Sequence, residues 1–162
     1  MKKKHIIIGC IAVVTLAITT ALFFFQDGKF QFQDGKFQSL KPKNGNLEIA
    51  LKKINDGNAH YFKVRAADGI MVSFFTLKSK DGTIRVAIDA CDVCYRAGKG
   101  YIQEGDFMVC ENCGRRFPAS KINVVKGGCN PAPLERQIVG SNLVIAMDDI
   151  NKNSWYAQYK TL

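Results

Sequence analysis

Cys91-Asp92-Val93-Cys94 and Cys110-Glu111-Asn112-Cys113 stand fifteen residues apart in the chain. Two residues between cysteines let both sulfurs of a tight turn point at one centre. Two such turns brought together make a tetrahedral pocket of four sulfurs, which suits zinc or an iron–sulfur centre. The spacing falls within the range that reads as a metal site. Any fold for this chain must then carry residues 91–94 against residues 110–113. The pattern leaves other uses open: two local disulfides, redox-active Cys-x-x-Cys pairs, or free buried thiols.

A fifth cysteine, Cys129, lies fifteen residues beyond Cys113, in Gly127-Gly128-Cys129-Asn130-Pro131-Ala132-Pro133. Glycines before it and prolines after it describe a constrained loop rather than a helix or strand interior. Such a loop is expected to lie over the pocket and bring Cys129 close to it. Cys129 is therefore a candidate fifth ligand, an exchangeable ligand or a thiol that tunes the centre.

Ile6 to Phe25 carries no charge and follows Lys2, Lys3, Lys4 and His5. At helical rise, about 20 such residues just span a hydrocarbon core. The lysines place residues 1–5 in the cytoplasm and the rest of the chain outside it. A cleaved signal peptide is the rival, but no small-x-small cleavage site is evident. Cys10 reads as a membrane-embedded thiol. Either reading exports the remainder. Unpaired thiols tend to oxidise there, and five cysteines cannot all pair. Four metal ligands and one special thiol is the tidier account.

Phe25–Gln31 is repeated without change as Phe32–Gln38. Two copies are too few for a solenoid, so residues 26–43 are expected to be a juxtamembrane spacer. Residues 44–162 remain as one extracytoplasmic domain, long enough to bury a core of its own. The formal net charge is +9 at pH 7. Three of those charges are the N-terminal lysines, and the others are scattered without a basic run, so no nucleic-acid partner is expected.

Within 44–162 the pattern is short apolar runs cut by turn signals. Tyr61–Ala66, Ile70–Lys78 and Thr83–Ala90 are divided by Asp68-Gly69 and Asp81-Gly82. These read as antiparallel strands, and the last delivers the chain directly into Cys91. Tyr101–Val109 reads as a hairpin turning near Glu104-Gly105-Asp106, which returns Cys110 beside Cys94. Arg136–Val139 and Leu143–Met147 flank a Gly140-Ser141-Asn142 turn. Leu143–Asn151 echoes Leu47–Asn55, with five of nine positions identical. Each reads as a strand running into a short turn, and the two are expected to pair in one sheet unless the echo is chance.

Other candidates carry less. His60 opens a strand alone and reads as a surface residue. Asp89 and Asp92 flank Cys91 and are expected to accept backbone hydrogen bonds. Tyr95, Tyr101 and Phe117 are placed to shield the centre or simply to fill the core. Trp155 and Tyr156 either close the sheet or face the membrane. No nucleotide loop, catalytic triad or paired carboxylates are present, and a stand-alone enzyme is not the expected reading.

The stretch from Asp89 to about Ile150 resembles the FtrD-like family of membrane iron–sulfur proteins, which are linked to bacterial iron permeases. The match rests on Asp89–Tyr95, Gly98–Tyr101, Val109–Gly114, Arg116–Pro118 and Gly127–Pro131. It implies an anchored protein that assists iron uptake by electron transfer, with a permease or other membrane redox component as partner. Cys91, Cys94, Cys110 and Cys113 would hold an Fe–S cluster, with zinc or copper as the alternative metal. The order of parts is also similar to a Rieske domain, where a hairpin separates two ligand loops and a third loop covers the cluster. Rieske loops supply one Cys and one His each, whereas this chain has cysteine at all four places. The expected fold is mainly β. It is a small antiparallel sheet or sandwich domain with Rieske-like order and rubredoxin- or zinc-ribbon-type metal loops, preceded by one transmembrane helix.

Overall fold

The computed structural model describes residues 35–160. The apolar run 6–25 and the first copy of the repeat lie outside the described residues. Among the described residues no helix is long and apolar enough to cross a membrane.

The described chain is mainly β, in three small sheets. The central sheet has the order β1-β3-β4-β5, from Phe37–Ser39, His60–Arg65, Met71–Lys78 and Ile84–Ile88. A second sheet joins β2 (Asn46–Ala50), β10 (Asn142–Ala146) and β9 (Gln137–Val139). A third joins β6 (Tyr101–Glu104), β7 (Phe107–Cys110) and β8 (Arg116–Pro118). The short helix α1 spans Met147–Lys152.

Strand β4 explains the layering. Its run of Val72 to Leu77 is buried throughout, so both of its faces must be covered. Strand side chains alternate between faces. Val72 and Phe74 meet Phe62, Val64, Leu143 and Ile145 in one core, beneath the second sheet. Phe75 and Leu77 meet Tyr101, Met108, Cys91 and Cys110 in another, beneath the third. The central sheet is thus covered by a packing layer on one face and by the cysteine-bearing layer on the other.

The echoed stretches do pair. β2 and β10 run antiparallel, with Ile49 opposite Leu143 and Leu47 opposite Ile145. These four residues are buried, so the shared Leu-x-Ile pattern supplies two matching inward rows. Each strand then enters a helical turn, Leu51–Lys53 and α1.

One pairing departs from the antiparallel expectation. β1 runs parallel to β3, with Phe37 opposite Tyr61 and Ser39 opposite Lys63. The stretch read as spacer therefore contributes an edge strand. The second repeat copy supplies Phe37, whose ring meets the Tyr61 ring edge-on at 5.8 Å. β8 was not expected either. Three residues are too short to show a period, and β8 exists because β7 offers it an open edge.

Candidate metal centre

Strand β5 ends at Ile88, and Cys91 follows within three residues. The first cysteine turn closes where the Tyr95 amide donates to the Cys91 carbonyl at 3.0 Å. The second closes in the same way, with the Gly114 amide donating to the Cys110 carbonyl at 2.8 Å. The expected hairpin joins them: β6 and β7 turn at Gly105 and pair Tyr101 with Cys110. The Glu111 amide then donates to Gly100 O at 2.9 Å and ties the second turn to the start of the hairpin.

The result is a cluster of sulfurs. The Sγ atoms of Cys91, Cys94 and Cys110 all lie within 4.8 Å of one another. Ligands that share one tetrahedral metal atom at about 2.3 Å stand roughly 3.8 Å apart, so this spacing suits a shared metal. Cys113 is outside that tight group and is exposed, at the far end of the second turn. All five are free cysteines.

Hydrogen-bond donors face two of the sulfurs. Cys94 N–H donates to Cys91 Sγ at 3.3 Å, and Asn112 Nδ2 donates to Cys94 Sγ at 3.4 Å. Hydrogen bonding to a charged form favours that form. The Arg115 amide draws the Cys113 thiol below its usual range. Burial pushes Cys110 up, against the pull of the Cys113 and Asn112 amides. At Cys94 the Asn112 amide pulls down, but burial and the thiols of Cys110 and Cys113 prevail and push it up to about 12. So many sulfurs at such short range cannot ionise together without a cation among them. Donors aimed at Cys91 and Cys94, with Cys91 and Cys110 buried, fit a thiolate-held metal.

The Cys129 loop covers this cluster as expected. Pro131–Leu134 runs along β5, where Ile88 N–H donates to Ala132 O at 2.8 Å and Leu134 N–H to Val86 O at 3.2 Å. Asn123 holds the preceding segment, accepting from Val86 N–H at 2.9 Å and donating back to Val86 O at 2.8 Å. Tyr101 is fully buried and its hydroxyl donates to Cys129 O at 2.7 Å. Asp92 accepts from Gly128 N–H at 3.2 Å. It also receives the Tyr156 hydroxyl.

Asp89 lies deepest. Its carboxylate accepts Tyr101 N–H at 2.7 Å and pairs with Lys160, both side chains being almost wholly buried. Burial pushes this carboxyl up, against the pull of the Lys160 ammonium and the Tyr101 amide. Gly100 has φ +84°, and a Cβ there would overlap the Asp89 carboxylate. Lys36 from the second repeat copy donates to Tyr101 O at 2.9 Å and pairs with Glu111 at 3.2 Å. The N-terminal edge of the domain is thereby tied to the cysteine end.

The remaining candidates divide. Phe117 packs against Tyr101 with ring centroids 6.3 Å apart, so both wall the centre. Tyr95 is half-buried at the edge of the cysteine cleft, against Trp155, Tyr156 and Tyr159. His60 pairs with Asp56 at 2.8 Å and has no place in the cluster. Sequence reasoning did not find Lys160, Lys36 or Asn112. For Asn112 there was a signal, since it lies inside the second cysteine turn. For the two lysines there was none.

A family model described as "membrane iron-sulfur containing protein FtrD-like" matches residues 54–156, more than half of the chain. No curated protein matches. Among solved structures, a crystal structure of the quaternary ammonium Rieske monooxygenase CntA with an inhibitor shows 14% identity and a TM-score of 0.41. That similarity covers 62% of this chain and 30% of the monooxygenase, so the chain spans less than a third of its length.

Proposed function

The chain belongs to the FtrD-like family of membrane iron–sulfur-containing proteins, and from that premise we propose that it is a membrane-anchored electron carrier. In this reading Cys91, Cys94, Cys110 and Cys113 hold the iron centre outside the cytoplasm. The centre serves iron uptake beside a permease or another membrane redox component. Three sulfurs from two separate turns within 4.8 Å of one another carry the assignment. A cysteine-held iron centre supplies one-electron transfer when bound.

The protein's own residues do the rest. Backbone hydrogen bonds close the two turns that hold the sulfurs. Tyr101 and Phe117 exclude water from the buried side. Amide donors to the sulfurs and the degree of exposure set the potential. With four thiolates and no histidine, a [2Fe–2S] form of the centre should lie near the roughly −400 mV of plant-type ferredoxins, well below Rieske centres. Reversible reduction and reoxidation of the anaerobically purified chain, followed optically against potential, tests this. A centre that takes up no electron in that range contradicts the carrier reading.

Cys129 falls outside the ligand set in this reading. It is held through its carbonyl by the Tyr101 hydroxyl, and it packs at the edge of the buried cluster that contains Cys91 and Cys110. Cys129→Ser is expected to keep most of the metal per chain while shifting the potential, which metal analysis and the same titration would show. The second reading is a zinc or Cu(I) module. The single-atom spacing of the three sulfurs favours it as well.

A further inference from the structure

We propose that the domain lays one aromatic and basic face on the lipid headgroups, so that its metal end points at the membrane. The inference rests on the anchored reading above. Its basis is where the chain enters the domain. The apolar run ends at Phe25, and residues 26–34 separate it from the described domain. Nine residues reach at most about 32 Å, roughly one diameter of a domain this size. The tether delivers Lys36, which is bound to Tyr101 O and Glu111 at the cysteine end.

An exposed face lies near that entry point. The Lys160 ammonium, buried against Asp89, lies 5.2 Å from the Phe37 ring behind it. Its neighbour Tyr159 packs on Tyr95 at 5.8 Å, and Tyr95 meets Trp155 edge-on at 5.0 Å. Trp155 is 41% exposed, Tyr159 49% and Val93 62%. Arg96 lies over both tyrosine rings, and Lys99 is exposed beside it. Trp and Tyr with an apolar body and a polar edge settle at the membrane interface, and Arg and Lys are drawn to anionic headgroups. Among the described residues this surface combines those chemistries with the tether. The cleft beside the sulfurs is lined by Tyr95 and Lys99 of the same surface. Seating it on lipid would put the centre within short reach of a partner in the bilayer.

Trp155 is the chain's single tryptophan, so its emission reports this face alone. The full chain is reconstituted in vesicles of mixed anionic and zwitterionic lipid. Half the preparations carry lipid brominated near the headgroup end of the acyl chain. The expected result is at least twofold quenching of Trp155 by the brominated lipid at equal iron content, largely reversed in an Arg96→Glu, Lys99→Glu variant. Unquenched emission from a chain that floats with the vesicles would overturn the proposal while leaving the electron-carrier reading intact. Quenching indifferent to the charge reversal would overturn the headgroup contact. A chain that fails to float would overturn the anchor and this proposal together.

Discussion

Cys110→Ser is expected to abolish stoichiometric metal binding, and Cys94→Ser to do the same. Both residues lie in the group of three sulfurs within 4.8 Å, and Cys110 is only 2% exposed. Serine is close in size, so the turn should survive, but its hydroxyl is a poor ligand for a soft thiolate site. Loss of one proposed ligand is expected to remove metal affinity and the stability coupled to it. Metal per chain, measured after gel filtration against a weak chelator, is expected to fall from one centre to a residual trace. Because the two variants sit on different turns, retained binding in either would break the shared-pocket account.

Asp89→Ala is expected to destabilise the domain by about 3–5 kcal/mol, the usual cost of leaving one partner of a buried pair alone. A domain of this size commonly has only 5–15 kcal/mol in total. The change strands the Lys160 ammonium in the protein and removes the acceptor of Tyr101 N–H. Urea unfolding of wild type and variant at matched metal content measures it. An Asp89→Leu, Lys160→Met double variant should recover much of the loss, since apolar groups can replace such a pair at little net cost. A loss below about 1 kcal/mol in the single variant would mean that the pair is not desolvated as the structure has it.

What could be read from the sequence follows physical range. The turn signals at Asp68-Gly69 and Asp81-Gly82 bound β3, β4 and β5 within a residue or two, because Asp-Gly turns are local chemistry. The hairpin between the cysteine pairs was legible for the same reason. The pairing of β2 with β10 was legible only through their echo, since two strands with matched apolar rows suit one core. The parallel seat of β1 was not legible. Three residues inside a duplicated polar segment carry no period, and their partner β3 is set by tertiary packing. The Asp89–Lys160 pair spans 71 residues. Nothing local in either side chain announces it, and only the folded chain shows that the last described residue lies beneath the first cysteine turn. The Cys129 loop falls between these cases. Its glycines and prolines predicted constraint, while its anchoring through Asn123, Tyr101 and Asp92 had to be seen.

The most direct test is to purify the full chain anaerobically in detergent, then determine its metals and record its visible spectrum. The full chain is required because β1 begins at Phe37 and Lys36 ties it to the cysteine end. The expected result is iron in stoichiometric amount, with thiolate-to-iron charge-transfer bands that Cys110→Ser removes. Zinc or copper without such bands, or cysteines joined in pairs with no metal, would contradict the account.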